Sequence, residues 1–366
     1  DVKASNQLAK LYDEILKNNP TQTHEEVHAL NVFLTRLLFC YFAEDSNIFD
    51  DNVFTNSISN HTQKDGSDVD GYLERLFDVF NTDDKDRETN LPEYLKAFPY
   101  VNCGLFRDKH PLPKFTTKSR NIMIDIGGLD WSEINPDIFG SMIQTVVTPE
   151  HRGDMGMHYT SVPNIMKVMQ PLFLDELYEE FEKVKTNKKK LQELINRISN
   201  LKIFDPACGS GNFIIIAYKE LRRLEMKILS AIDSLSSQKS FTFSEIKLTQ
   251  FYGIELDDFA HEVAILSLWL AEHQMNLEFY KAFGRTAPSL PLQDGGNIIH
   301  GNATRIDWES VCPKDDVDEI YILGNPPYLG GKSQSKEQKE DMKIVFEGIK
   351  NFKELDYIAC WFLKAS

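Results

Sequence analysis

The residues that carry the most chemistry in the chain are Gly324-Asn325-Pro326-Pro327-Tyr328, which follow the short apolar run Ile320-Tyr321-Ile322-Leu323. The two prolines remove backbone donors and stiffen the turn, leaving carbonyls free to point into a pocket. An exocyclic amine conjugated to a purine is a poor nucleophile. If the Asn325 side-chain oxygen and the Pro326 carbonyl each accept one of its N–H groups, the nitrogen lone pair is drawn toward tetrahedral geometry and aimed at an electrophilic methyl group. That is catalysis by positioning and electrostatics, with no strong base needed. Tyr328 supplies a flat face on which a base can stack, and its hydroxyl is given no role. An ordinary proline turn ending a strand is the competing reading.

A second group, Asp205-Pro206-Ala207-Cys208-Gly209-Ser210-Gly211-Asn212-Phe213, follows another apolar run and opens a helical pattern. Gly209 and Gly211 let the backbone turn tightly and approach a ligand where a Cβ would collide. The third glycine of the dinucleotide fingerprint, which crowds a pyrophosphate onto the helix, is missing. S-adenosylmethionine has no pyrophosphate, and its sulfonium and amino groups are cationic, so Asp205 at the strand end serves as an acidic neighbour for its methionine portion. Further on, Gly253-Ile254-Glu255-Leu256-Asp257 ends the next strand. Glu255 is placed to accept both ribose hydroxyls, and Asp257 to cap the helix that starts near Asp258. The polar stretch from Asp233 to Lys247 reads as an insertion between these two groups.

The elements that must position these residues alternate. Strands are expected over Leu201–Asp205, Gln250–Leu256, Asn297–Gly301 and Glu319–Leu323, with helices over Asn212–Leu229 and Asp258–Gln274. Such alternation predicts an α/β domain with a mostly parallel sheet and ligands beyond the carboxyl ends of its strands. A further helix begins at Ser161 as cap, with Pro163 in its first turn and Ile165, Val168, Met169 and Leu172 on one face. Upstream, from Leu8 to about Phe80, apolar residues recur at helical spacing, as in Leu30, Phe33, Leu34, Leu37, Leu38 and Tyr41. Asn56 to Gly71 reads as a polar loop, Asn121–Asp125 as a short strand, and Trp131 to Val147 as helix again. The charged connector His151–Gly156 marks the boundary between a mainly α-helical domain over 1–150 and a Rossmann-like domain over 151–366.

With 366 residues, 42% hydrophobic and 26% charged, the chain has the composition of a soluble globular protein of two domains. The run Leu30–Ala43 is interrupted by Arg36 and falls short of the roughly 20 residues of a membrane span, so it reads as a buried helix. The chain opens at Asp1 without an initiator Met or an apolar leader, which predicts a trimmed chain from a cytoplasmic protein. Its five cysteines are far apart and form no Cys/His cluster at zinc spacing. Free thiols and no structural metal are expected. A net charge of -16 argues against phosphate contacts in general. Most of the acidic excess lies before His151, however, while Lys183–Lys190 and Lys332–Lys343 carry local basic clusters.

Taken together, Asp-Pro-Ala-Cys-Gly-Ser-Gly-Asn-Phe followed by Asn-Pro-Pro-Tyr resembles the amino-methylating DNA methyltransferases of the gamma class, in which target recognition follows the catalytic motifs. The resemblance implies a class I S-adenosylmethionine-dependent methyltransferase that acts on N6 of an adenine flipped out of double-stranded DNA. Asn325, Pro326, Pro327 and Tyr328 would be its catalytic residues. Asp205, Pro206, Ala207, Gly209, Gly211, Asn212, Phe213 and Glu255 would bind the cofactor. By the same resemblance His158-Tyr159-Thr160 matches the motif ahead of the glycine turn, with Tyr159 and Thr160 lining the methionine end. Asn302 falls near the cofactor's adenine, and Asp356-Tyr357 through Phe362 forms the helix that walls the target-base pocket.

The resemblance extends to the first domain. Pro99-Tyr-Val-Asn-Cys-Gly-Leu-Phe106, Ile138-Phe-Gly-Ser141 and Ser335-Lys-Glu-Gln-Lys-Glu-Asp-Met-Lys343 look like segments of the single-chain type IIL and IIG restriction-modification enzymes. These join nuclease, helical spacer, methyltransferase and recognition domain. No nuclease module is recognisable ahead of the helical region, and Glu245-Ile246-Lys247 fits an ExK pattern by chance. The methyltransferase domain is expected to be incomplete at Ser366, with later strands and a target-recognition domain elsewhere in the full-length protein. Two other functions use the same residues. One is methylation of a protein glutamine on its side-chain nitrogen; the other is a non-catalytic segment that holds cofactor or DNA in a larger restriction complex.

Overall fold

The computed structural model describes residues 2–21, 23–101, 104–131, 160–236, 243–284, 297–314 and 319–366. The chain divides into two compact units, Asp1–His151 with Pro288–Gly295 and Arg152–Ala287 with Gly296–Ser366.

In the first unit the main helices are Val2–Asn18, His24–Asp45, Val53–His61, Val69–Phe80 and Thr117–Gly127. The second starts at a capping box, in which the Thr23 side chain accepts from Glu26 N–H and the Glu26 side chain accepts from Thr23 N–H. It is buried throughout from Ala29 to Glu44. Arg36 in the middle of this run is satisfied inside the unit: Nε donates to Leu105 O at 2.7 Å, Nη2 donates to Asp108 O at 2.6 Å, and the guanidinium lies 5.2 Å from the Phe77 ring centroid. A buried cation with donors so placed is tolerated where an unpaired one would not be. No helix among the described residues is long and apolar enough to cross a membrane.

Three local expectations are corrected here. Asn121–Asp125 lies inside the Thr117–Gly127 helix rather than in a strand. Thr116 and Ser119 form its capping box, and its buried residues Ser119, Arg120, Met123, Ile126 and Gly127 recur at helical spacing. The polar stretch from Asn56 to Gly71 is helical at both ends, with only 62–68 between the two helices. The helix Val162–Met169 runs into a π turn, Gln170–Leu174, where Pro171 has no donor and Asp175 N–H reaches back to Gln170 O. The buried stripe is therefore Ile165, Met169 and Phe173, while Val168 and Leu172 are exposed. The expected helix after Trp131, the connector His151–Gly156 and the segment Ile138–Ser141 lie outside the described residues.

The second unit is built on a four-stranded parallel sheet of order β3-β2-β1-β4. The strands are β1 (Lys202–Asp205), β2 (Phe251–Glu255), β3 (Asn297–His300) and β4 (Ile320–Ile322). β1 pairs with β2 on one side and β4 on the other, with Phe204 opposite both Tyr252 and Ile322. Order reverses at β1, so the crevice between the carboxyl ends of β1 and β4 is the topological switch point at which such sheets bind ligands. On one face Phe204, Tyr252 and Ile254 pack with Ala303, Trp308 and Val311. On the other, the helix Asn212–Ser234 lies against the sheet, with Tyr218 edge-on to Phe251 at 5.4 Å. The helix Asp258–Phe283 starts at Asp257, whose side chain accepts from Ala260 N–H at 2.8 Å. It runs longer than expected and stops at Gly284, whose left-handed φ of 74° directs its N–H back to Tyr280 O at 2.7 Å.

Candidate active site

All four strand ends carry a residue singled out in the sequence. β1 ends in Asp205 and leads into the glycine turn, β2 ends in Glu255, β3 leads to Asn302, and β4 leads to Gly324 and Asn325.

Asp205 is 1% exposed. Its Oδ1 accepts from Ala207 N–H at 3.0 Å, while its Oδ2 is buried without a hydrogen-bond partner among the described residues. Burial, opposed by the Ala207 N–H and reinforced by the charge of Glu255, pushes this carboxyl up to about 8. Glu255 accepts from Gly209 N–H at 2.7 Å and from Asp257 N–H at 2.8 Å, and burial pushes it up to about 7. A carboxylate has roughly four lone-pair sites, so Glu255 keeps acceptor capacity beyond the two N–H groups it already holds.

The two glycines of the turn differ. Gly209 and Gly211 both have left-handed φ, 54° and 85°. A Cβ on Gly211 would lie 3.2 Å from Ala264 Cβ and 3.3 Å from Ala264 Cα, whereas one on Gly209 would meet nothing within 4 Å. Gly211 thus serves close packing against the Asp258–Phe283 helix, and Gly209 fronts the open space beyond the sheet. Asn212, buried at the helix start, has an Oδ1 without a partner among the described residues, and Phe213 is buried.

Asn325 is held by its whole amide. Nδ2 donates to Thr160 Oγ1 at 3.1 Å, and Oδ1 accepts from the Tyr328 hydroxyl at 2.8 Å. The hydroxyl left without a role by the sequence thus orients the amide, while the Tyr328 ring remains 59% exposed. Gly324, named in the sequence with the tetrapeptide but given no role there, brings the two motifs together. A Cβ there would stand 2.3 Å from Asp205 Oδ1, so the backbone ahead of Asn325 lies against the acid that ends β1. The visible signal was a glycine at the end of a strand pattern.

Behind the tetrapeptide, Leu329 N–H donates to Asp356 Oδ1 at 2.9 Å and Tyr357 N–H donates to Leu329 O at 2.9 Å. The Trp361 indole donates to Pro206 O at 3.0 Å, tying the following helix Ala359–Ala365 to the glycine turn. Phe362 on that helix is 71% exposed. Asn302 is turned inward: its Oδ1 accepts from Thr304 N–H at 2.9 Å and its Nδ2 donates to Asp341 Oδ2 at 3.1 Å. Tyr159 lies outside the described residues. The Glu245-Ile246-Lys247 triplet serves the fold, since the N–H groups of Glu245 and Ile246 donate to the buried Glu225 carboxylate. Among the described residues there is no cluster of His, Cys, Asp and Glu able to hold a metal, and Cys40, Cys208, Cys312 and Cys360 are free thiols.

A parallel sheet with a glycine turn after its central strand, an acid closing the next strand and Asn-Pro-Pro-Tyr at the switch point defines a Rossmann-like class I methyltransferase domain. The family model for the MmeI DNA-methyltransferase domain matches residues 181–366, and that for the MmeI helicase spacer domain matches residues 28–106. The chain belongs to the MmeI family of DNA methyltransferases of restriction-modification systems. It is 50% identical over 366 residues to DNA methyltransferase A of Bacillus subtilis, a match that covers 99% of this chain and 41% of that protein. A solved structure of the type IIL restriction-modification enzyme MmeI in complex with DNA matches with a TM-score of 0.91 at 41% identity, over 100% of this chain and 48% of that one. A type II restriction enzyme and methyltransferase of Escherichia coli is 27% identical over 180 residues, 43% of this chain and 18% of its own length. The chain thus spans less than half the length of these relatives.

Proposed function

We propose that the full-length protein transfers a methyl group from S-adenosylmethionine to N6 of an adenine flipped out of duplex DNA, and that the second unit holds both the cofactor and the reacting amine. The observation that carries this reading is the Asn325 amide fixed between Thr160 and Tyr328 at the end of β4, beside a buried acid with an unspent oxygen. The relatives that match are DNA methyltransferases and restriction-modification enzymes, one of them solved with DNA bound.

The residues present fit this cofactor. Asp205 Oδ2 and Asn212 Oδ1 are buried acceptors without partners among the described residues, Glu255 has acceptor capacity to spare, and Gly209 faces open space. Unspent buried acceptors suit a ligand that brings ammonium and hydroxyl donors. When bound, S-adenosylmethionine supplies a methyl group on a positively charged sulfur. Asp205 and Asn212 would hold the methionine portion, Glu255 the ribose hydroxyls. On the acceptor side an amide oxygen takes two hydrogen bonds. Asn325 Oδ1 uses one for the Tyr328 hydroxyl and keeps the other for the target N–H, with the Pro326 carbonyl taking the second N–H. Tyr328 offers its exposed ring to the base.

The raised carboxyls give this reading a pH signature. A carboxyl raised in the folded state keeps a proton that the unfolded chain has released, so its burial destabilises the fold as pH climbs from the ordinary carboxylate range toward 7 and 8, and costs nothing below it. A cationic ligand favours the ionised carboxylates. Cofactor affinity is therefore expected to rise with pH through about 8 and to level off above it, once Asp205 is ionised without the ligand, and binding below that pH is expected to release protons. Calorimetry in buffers of different ionisation enthalpy measures that release. Affinity that falls over the same interval contradicts the assignment.

Tyr328 is expected to act through both ends. Tyr328→Phe should lower turnover by up to about tenfold, the scale of one hydrogen bond to the Asn325 amide, with base binding kept. Tyr328→Ala should lose a further ~1–3 kcal/mol of base binding, less on duplexes mismatched at the target, where flipping costs less. Equal defects in the two variants, with no dependence on the mismatch, contradict stacking. Methylation of a protein glutamine would present the same geometry to Asn325. Transfer of tritium from labelled cofactor into DNA rather than protein separates the two substrates.

A further inference from the structure

Of the buried acids among the described residues that the chemistry above does not use, Asp341 draws its donors from the widest spread of neighbours along the chain. Asp341, on the helix Lys336–Val345, is 2% exposed. Its donors come from two other places in the second unit. Oδ1 accepts from Arg305 Nε at 2.6 Å, and Oδ2 accepts from Asn302 Nδ2 at 3.1 Å and from the Tyr357 hydroxyl at 2.7 Å. Asn302 and Arg305 follow β3, on the side proposed for the cofactor's adenine. Tyr357 lies behind the catalytic loop, and both it and Asp356 bond the backbone of Leu329, the residue after Tyr328.

A carboxylate taken out of water is tolerated only when it is paired and hydrogen-bonded. Here one carboxylate draws its donors from both loops, so moving either loop leaves a buried acceptor short of a partner. Thr304 adds to the same knot: its hydroxyl donates to Asn302 Oδ1 at 2.7 Å. The Tyr357 ring is anchored separately, in a cluster with Met342, Phe346 and Cys360.

We infer that Asp341 is a positioning residue that locks the cofactor-side loop after β3 to the base-side loop after β4, so that the cofactor pocket depends on Tyr357. The inference rests on the functional reading above. It differs from a simple fold anchor in predicting that a change on the base side is felt by the cofactor.

The test uses the full-length protein and S-adenosylhomocysteine as probe, with calorimetry and thermal melts run together. Tyr357→Phe keeps the anchored ring and removes only the hydroxyl. It is expected to weaken probe binding about three- to tenfold, the scale of an ordinary hydrogen bond. Asp341→Asn should weaken it by about tenfold, and adding Tyr357→Phe to that variant should weaken it little further, because coupled partners are not additive. If Asp341→Asn does not fold, Asn302→Ala takes its place in the cycle with the same expected non-additivity. Additive losses, or a Tyr357→Phe protein that melts lower with unchanged affinity, overturn the inference. A wild-type protein that does not bind the probe overturns the functional reading and the inference together, whereas wild-type binding matched by Tyr357→Phe overturns the inference alone.

Discussion

Asn325→Ala in the full-length protein is expected to lower the methyl-transfer rate at least about 10²- to 10³-fold, the loss that follows removal of one preorganised partner of the reacting group. Cofactor affinity should stay within about twofold and melting should barely move, because the side chain is partly exposed and its partners Thr160 and Tyr328 are not buried. Thr160 and Tyr328 fix the amide plane, and the oxygen left with one free lone pair is what the target amine would meet. A single-turnover assay with saturating cofactor measures the chemical step directly, and calorimetry measures the binding. Loss of cofactor binding instead would move Asn325 to the donor side of the reaction, and near-normal turnover would remove positioning as the main contribution.

Gly324→Ala should damage the site severely although it adds only a methyl group. The new Cβ would stand 2.3 Å from Asp205 Oδ1 and 2.9 Å from Asp205 Cγ, and the φ of 153° is one that L side chains rarely adopt. Relief requires moving either the fully buried Asp205, which holds the glycine turn through Ala207 N–H, or the backbone that carries Asn325. The first displaces the cofactor's acid and the second misplaces the amide, so both affinity and turnover should fall. Overpacking of this kind destabilises by ~1–3 kcal/mol, which a thermal melt registers. Gly330→Ala, where an added Cβ meets nothing within 4 Å, is the matched control. Equal behaviour of the two variants contradicts the close approach of the two motifs.

What the sequence made legible was whatever contrasts locally. Short apolar runs bounded by Gly, Pro and Asp marked β1, β2, β3 and β4, and Asp257 was readable as a cap from its place before a helical pattern. Fold class followed from that alternation. Pairings between distant residues were not legible: nothing local says that β4 lies beside β1, that Gly324 faces Asp205, or that Trp361 reaches Pro206. Asp341 shows the same limit. It sits in a polar helix among lysines and glutamates and reads as one more solvated acid until three donors from elsewhere are seen to converge on it. Asn121–Asp125 failed for a different reason, since three apolar residues bounded by Asn121 and Asp125 fit a short strand while the capping box at Thr116 favours a helix. The hydroxyl of Tyr328 was overlooked because stacking alone explained an aromatic residue at that position.

Nucleoside analysis tests most directly which atom receives the methyl group. The full-length protein is incubated with duplex DNA and S-adenosylmethionine labelled in its methyl group, and the digested DNA is resolved by chromatography and mass spectrometry. Label is expected in N6-methyladenine, formed at least about 10²-fold more slowly when Asn325→Ala protein is used. Label on cytosine, or label recovered only in protein, would contradict that expectation.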